Sequence, residues 1–173
     1  MIPAQLLNNK YNLIITMLTI ALMFSMLKKV QAKMSKPIIS CAISVQSTSL
    51  RADEILLDFI ITNNSNKGIS LLTWYSPLEG FLSNLFVITK LKNNELIEYQ
   101  GPLVKRSQPT EDDFLSLAAK ESITRQIDLS QAYQLTEGRF SLKLNRTTMQ
   151  LRSQGMQSTN INCSPEITVF EVQ

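Results

Sequence analysis

The side chains able to do chemistry fall in a few short stretches. Glu111, Asp112 and Asp113 stand together in "PTEDDF", soon after a Lys105-Arg106 pair, and Glu79 ends the stretch "TWYSPLE". Neighbouring carboxylates can share a proton, hold a hard cation or reach a metal on another molecule. The three at 111–113 lack the spacing of a calcium-binding loop and read as a solvated acidic turn. A missing residue type decides more than any that is present: the chain has no histidine. Histidine is the commonest acid/base near neutral pH and the commonest metal ligand. Without it there is no Ser-His-Asp or Cys-His triad and no His-Glu-x-x-His zinc helix. A carboxylate- or lysine-based enzyme stays formally open, but the expectation is a protein that is not an enzyme and holds no cofactor or metal. The net charge of +3 comes from scattered residues, too weak a footprint for nucleic acid.

Cys41 and Cys163 are the remaining reactive pair, and their meaning depends on compartment. The run "YNLIITMLTIALMFSML" ends at Leu27 and is followed by "KKVQAK". Its apolar core of about 15 residues fits a signal peptide better than a membrane-spanning helix, which needs ~20. Val30-Gln31-Ala32 supplies small residues for cleavage, whereas Lys28 and Lys29 keep an uncleaved anchor open. Residues 1–32 are therefore read as signal peptide or membrane anchor, and 33–173 as one exported domain. In an oxidising compartment the two cysteines would pair, closing a loop across most of the domain and stabilising it by roughly 4 kcal/mol. Two free buried thiols are the alternative.

The elements that must position these residues are strands. "PIISCAISVQ" places Ile39, Cys41, Ile43 and Val45 on one face, and "EILLDFIITNNSNKG" places Leu57, Phe59 and Ile61 inward before an Asn/Ser/Gly turn. "GISLLTW" is a third strand. Leu85–Lys90 and Glu95–Gln100 form a hairpin around Lys92-Asn93-Asn94, where asparagine tolerates the left-handed backbone a tight turn needs. Phe114–Leu117, Ser122–Leu129 and Arg139–Leu144 follow, then a weakly patterned loop over 146–164 and a last strand in "PEITVFEV". No helical periodicity competes. The pattern predicts an all-β, immunoglobulin-like antiparallel sandwich of about seven strands, preceded by the apolar N-terminal helix.

Three segments carry a resemblance. The first holds Trp74, Ser76, Pro77, Leu78, Glu79 and Gly80; the second holds Tyr99, Gly101, Lys105, Arg106, Pro109, Thr110, Asp113 and Phe114. The third holds Ile127, Asp128, Leu129, Ser130, Tyr133 and Leu135, ahead of Gly138 and Phe140. In this order and spacing, over roughly residues 40–145, the chain resembles the N-terminal pro-domain of bacterial deuterolysin-type (aspzincin) zinc metallopeptidases. In that family a catalytic domain with a His-Glu-x-x-His helix follows, whereas this chain stops where it would begin. The resemblance therefore implies only the non-catalytic role: covering the cleft of a zinc metallopeptidase, or assisting its folding, in trans. A generic exported binding module, or a remnant of a protease that lost its catalytic domain, are the other readings.

The candidate partner-binding residues are Tyr75, Leu78, Glu79, Phe81, Lys105, Arg106 and Asp113. If Trp74 takes the central core position of the sandwich, Tyr75, beside it in the chain, faces the other way and is exposed. Lys105-Arg106 has three readings: a dibasic processing site, a docking surface, or local structure with Arg106 paired to a carboxylate of 111–113. Glu79 or Asp113 could reach a partner's zinc, since a carboxylate is a competent ligand. Asp128 and Tyr133 suggest a tyrosine corner fixing a strand crossover. Membrane contact is expected only through an uncleaved N-terminus, and the oligomeric state is left open.

Overall fold

Alternation of apolar residues carries the architecture. A computed structural model describes residues 36–45, 53–152 and 158–173, so the apolar run assigned to signal peptide or anchor lies outside the described residues. From residue 37 onward the chain is one compact unit. Its strands are β1 (Ile39–Val45), β2 (Leu56–Asn63), β3 (Ile69–Leu72), β4 (Phe86–Lys90), β5 (Glu95–Ile97), β6 (Phe114–Leu117), β7 (Ser122–Asp128), β8 (Gly138–Leu144), β9 (Thr148–Arg152), β10 (Thr159–Asn162) and β11 (Thr168–Val172). The only helical pieces among the described residues are 3-10 turns at Pro77–Glu79, Glu111–Asp113 and Leu129–Gln131.

All pairings are antiparallel, and they form three sheets of order β1-β2-β7, β10-β9-β3-β6 and β11-β8-β4-β5. This is the all-β arrangement expected, but with more strands than about seven and three sheets instead of two. One source of the excess is the segment 146–164, expected as a loop. It contributes the hairpin β9-β10, and β9 adds to β3 with Leu71 opposite Leu151. Met149 and Leu151 point inward at period two and are buried, which is why this segment pairs.

In β2, Leu57, Phe59 and Ile61 are fully buried, and with Ile88, Phe140 and Leu142 they belong to a core shared by all three sheets. Each such side chain contributes about 2 kcal/mol by leaving water. Cys41 stands opposite Ile61 on β1 and forms the disulfide with Cys163, the Cα atoms 5.4 Å apart. The bond ties the first strand to the segment after β10. β11 pairs with β8 instead of β1, although Thr168 Oγ1 donates to Ile43 O (3.3 Å). The β4–β5 turn behaves as its residues dictate, with Asn94 in the left-handed region at φ 57°. Asn63, whose sequence context is a glycosylation sequon, is fully buried instead. Its amide donates to Lys67 O and Ala118 O (2.8 and 2.7 Å).

Candidate functional site: a braced corner and its exposed loop

The three segments of the resemblance converge on one corner. β3 runs into the turn 73–80, which is fixed from within. Ser76 Oγ donates to Thr73 O (2.6 Å) and accepts from Leu78 N (3.3 Å), starting the 3-10 turn. Gly80 ends it at φ 80°, a conformation costly for any residue with a Cβ. Tyr75 takes the left-handed conformation at φ 58° and turns its N–H onto Glu79 Oε1 (2.7 Å). Trp74 and Tyr75 thus lie in a turn, so strand alternation does not govern which way they face.

The second segment locks onto this turn. Arg106 donates to Glu79 Oε2 and lies over the Trp74 ring, its Cζ 5.0 Å from the centroid. The Trp74 indole N–H donates to Asp113 Oδ1 (2.7 Å). Asp113 Oδ2 accepts from the N–H and hydroxyl of Thr110 (2.7 and 2.9 Å). The partner of Arg106 is therefore Glu79, and no carboxylate of 111–113; of those, Glu111 pairs with Arg152 at 2.6 Å. Trp74 is half-buried and is not part of the core cluster. Among the described residues no three acidic or cysteine side chains group as a metal site.

The third segment is held by aromatic packing. Phe81, Tyr99 and Tyr133 meet with ring centroids 5.4 to 6.4 Å apart, and Phe86 joins them. Gly101 makes this possible. A Cβ there would come within 2.5 Å of the Tyr99 hydroxyl, which bends back to donate to Pro102 O (2.8 Å). The Tyr133 hydroxyl accepts from Phe86 N (3.0 Å) and donates to Asn84 Oδ1 (2.9 Å), so it fixes the entry to β4, and burial pushes its pKa up. Asp128 Oδ1 accepts from Ile55 N and Ser130 N, both at 3.0 Å. Tyr133→Phe orphans a buried N–H and should lower the unfolding free energy by about 2 kcal/mol. Urea denaturation checks this, and a midpoint equal to wild type would contradict the corner's role.

Two acids in the corner are pushed in opposite directions. Burial raises Glu79 above the ordinary carboxylate value despite the Tyr75 N–H and Arg106, and the charge of Asp113 adds to the rise. The Thr110 N–H and then the Trp74 indole hold Asp113 below its ordinary value of 3.8. A lowered acid stabilises the fold above its unfolded pKa, and that contribution is lost as pH falls through the folded one. Asp113→Asn should therefore remove part of the loss in thermal stability seen on acidification below about pH 4. Melting curves of both proteins across that range check it; parallel pH profiles would contradict it.

The site residues inferred from sequence thus divide. Leu78, at 5 % exposure, packs in the core and offers no contact surface. Phe81 belongs to the aromatic cluster, Tyr75 is half-buried, Glu79 and Arg106 spend their polar atoms on each other, and Asp113 spends its own on Trp74 and Thr110. Neither Glu79, with 6 % of its side chain exposed, nor Asp113, committed to Trp74 and Thr110, is presented as a ligand for a partner's metal. Lys105 is exposed, and Leu103, absent from the sequence-based set, is 75 % exposed beside it. The backbone around them is pinned by Pro102 O to Tyr99, by Val104 N to Leu82 O (3.1 Å), and by Arg106 to Glu79.

No known family model matches the chain. It is similar to a protein named "Extracellular protease" from Aeromonas hydrophila, 28% identical over 92 residues. The match takes in 53% of this chain and 26% of that protein, so the chain spans about a quarter of the length of the curated relative it matches. This supports a protease-related region, and with the Cys41–Cys163 disulfide it is consistent with an exported protein.

Proposed function

We propose that the chain is a non-catalytic exported protein that binds a zinc metallopeptidase in trans, inhibiting it or assisting its folding, in the manner of the pro-domain it resembles. The observation that carries this is the loop 101–110. It holds an exposed aliphatic side chain, Leu103, and an exposed cation, Lys105, on a backbone anchored at Pro102, Val104 and Arg106. An apolar side chain held out on a braced backbone loses little entropy on docking, which is what an interface anchor needs. The same braces explain why Glu79, Arg106 and Asp113 belong to the pattern: they shape the loop and do not themselves touch the partner. The similarity to an extracellular protease favours this partner over an unrelated one.

An aspzincin-type zinc metallopeptidase titrated with the full chain should lose activity, or regain it in higher yield on refolding, at roughly micromolar protein. The pair Leu103→Asp and Lys105→Glu should weaken the effect without lowering the melting temperature, because both side chains face solvent. Untouched activity and unchanged refolding yield at that concentration would overturn the reading in favour of a binding module for an unrelated partner.

A further inference from the structure

Beside the braced corner the surface holds two adjoining cavities that none of the three motifs explains. The smaller, about 340 Å³, is lined by Tyr75, Ser83, Asn84, Asn145 and Arg146. The larger, about 470 Å³, shares Tyr75 and Arg146 and adds Leu72, Trp74, Pro109 and Met149 beside three polar residues. Arg146 stacks on Tyr75, its Cζ 4.3 Å from the ring centroid, so the pair forms the ridge between the two. The strained φ of 58° at Tyr75 places the ring there.

Four features of the smaller cavity ask for an anion. Arg146 has no carboxylate partner among the described residues, although Arg106 and Arg152 each have one. No aspartate or glutamate lines either cavity. The Ser83 hydroxyl, in a residue 8 % exposed, is buried without any hydrogen-bond partner, a rare and costly state. Asn84, whose Oδ1 accepts from the Tyr133 hydroxyl, lines the same cavity and brings an amide donor to its wall.

We infer that this pair of cavities is a peptide-binding site that takes an acidic side chain beside an apolar one. The carboxylate accepts from Arg146 and Ser83 in the smaller cavity, and the apolar neighbour packs against Trp74 and Pro109 in the larger. A stacked guanidinium matches a planar carboxylate in two-pronged geometry, and a single cation suits a singly charged group. The inference rests on the partner-binding reading above and names a feature of the partner's chain: an exposed acidic-apolar pair.

Trp74 is the only tryptophan of the chain and lines the larger cavity, so its fluorescence reports occupancy directly. The probe is acetyl-Leu-Glu-Leu-amide added to the full-length protein, with the Gln counterpart and inorganic phosphate as separate arms. The Glu peptide should give a saturable change, and the Gln peptide should bind about tenfold more weakly or not at all. Arg146→Gln should cost a similar factor. Ser83→Ala should weaken binding while leaving the melting temperature equal or higher, since it removes an unsatisfied hydroxyl, a combination a merely structural residue would not give. No saturable change with the Glu peptide, an equal response to the Gln peptide, or tighter binding of phosphate would each overturn the inference. An Arg146→Gln protein that loses the peptide but still binds a metallopeptidase at wild-type strength overturns the site's part in binding that partner and leaves the docking loop standing. A protein that takes the peptide but no metallopeptidase upholds the site and overturns that reading.

Discussion

Replacing both cysteines, Cys41→Ser with Cys163→Ser, should lower the unfolding free energy by roughly 4 kcal/mol, the largest effect expected of any change in this chain. The bond links residues 122 apart in sequence, so it constrains most of the domain in the unfolded chain. Its native anchors are good ones. Cys41 is registered against Ile61 of β2, and Cys163, 2 % exposed, donates its N–H to Thr147 O (2.6 Å). Breaking it releases the β9-β10 hairpin from the β1 sheet and leaves it to the buried Met149 and Leu151, the Arg152–Glu111 pair and the short pairing of β9 with β3 at residues 70–71. The domain's total stability should be of the order of 5–15 kcal/mol, so the reduced protein should be marginal. Urea denaturation of oxidised, reduced and double-serine protein checks this, with the last two expected to coincide. A double-serine midpoint equal to that of the oxidised protein would show that the core alone suffices.

Arg106→Ala should cost about 3 kcal/mol, more than an ordinary ion pair, because of what it leaves behind. Glu79 has 6 % of its side chain exposed, and without Arg106 its charge is buried against the charge of Asp113. The substitution also removes the guanidinium from the Trp74 ring. The pH dependence has a definite sign. Burial already raises the Glu79 pKa, and loss of Arg106 raises it further. A group with a raised folded pKa contributes stability below its unfolded value and loses it as pH rises through the folded one. The deficit of Arg106→Ala relative to wild type should therefore shrink towards pH 4 and grow towards neutrality, roughly across the carboxylate range. Glu79→Gln keeps an acceptor for Tyr75 N and leaves a cation that is partly exposed, so it should cost less, about 1 kcal/mol. The double variant should cost less than the sum of the two. Additive losses, or a deficit independent of pH, would contradict the bridge.

How far the sequence could be read depended on whether its signals were local. Leu57, Phe59 and Ile61 alternate within one strand, and Asn94 needs only its own backbone, so β2 and the β4–β5 turn were legible. β9 could have been found as well, since Met149 and Leu151 alternate correctly. Its partner β10 carries one apolar residue, Ile161, and polar neighbours on both sides masked the hairpin. The corner was recognised as three motifs but misassembled. Of the three readings of Lys105-Arg106, the local one pairs Arg106 with a carboxylate of 111–113, whereas its partner Glu79 is 27 residues back and is brought close by the turn after β3. Leu78 and Phe81 stand in the candidate contact set, yet the 3-10 turn rolls Leu78 inward and Phe81 joins the aromatic cluster. Nothing local could have linked Tyr75 to Arg146. Their stack joins the turn after β3 to the residues just after β8, where the Asn145 N–H donates to the Leu85 carbonyl (2.8 Å).

The most direct test of the account is a calorimetric titration of the full chain into an aspzincin-type zinc metallopeptidase, repeated with Leu103→Asp. A saturable complex of roughly micromolar affinity or better is expected, weakened about tenfold or more by the substitution, with the chain itself cleaving no substrate. Absence of any heat of binding at those concentrations, or hydrolytic activity in the chain alone, would contradict it.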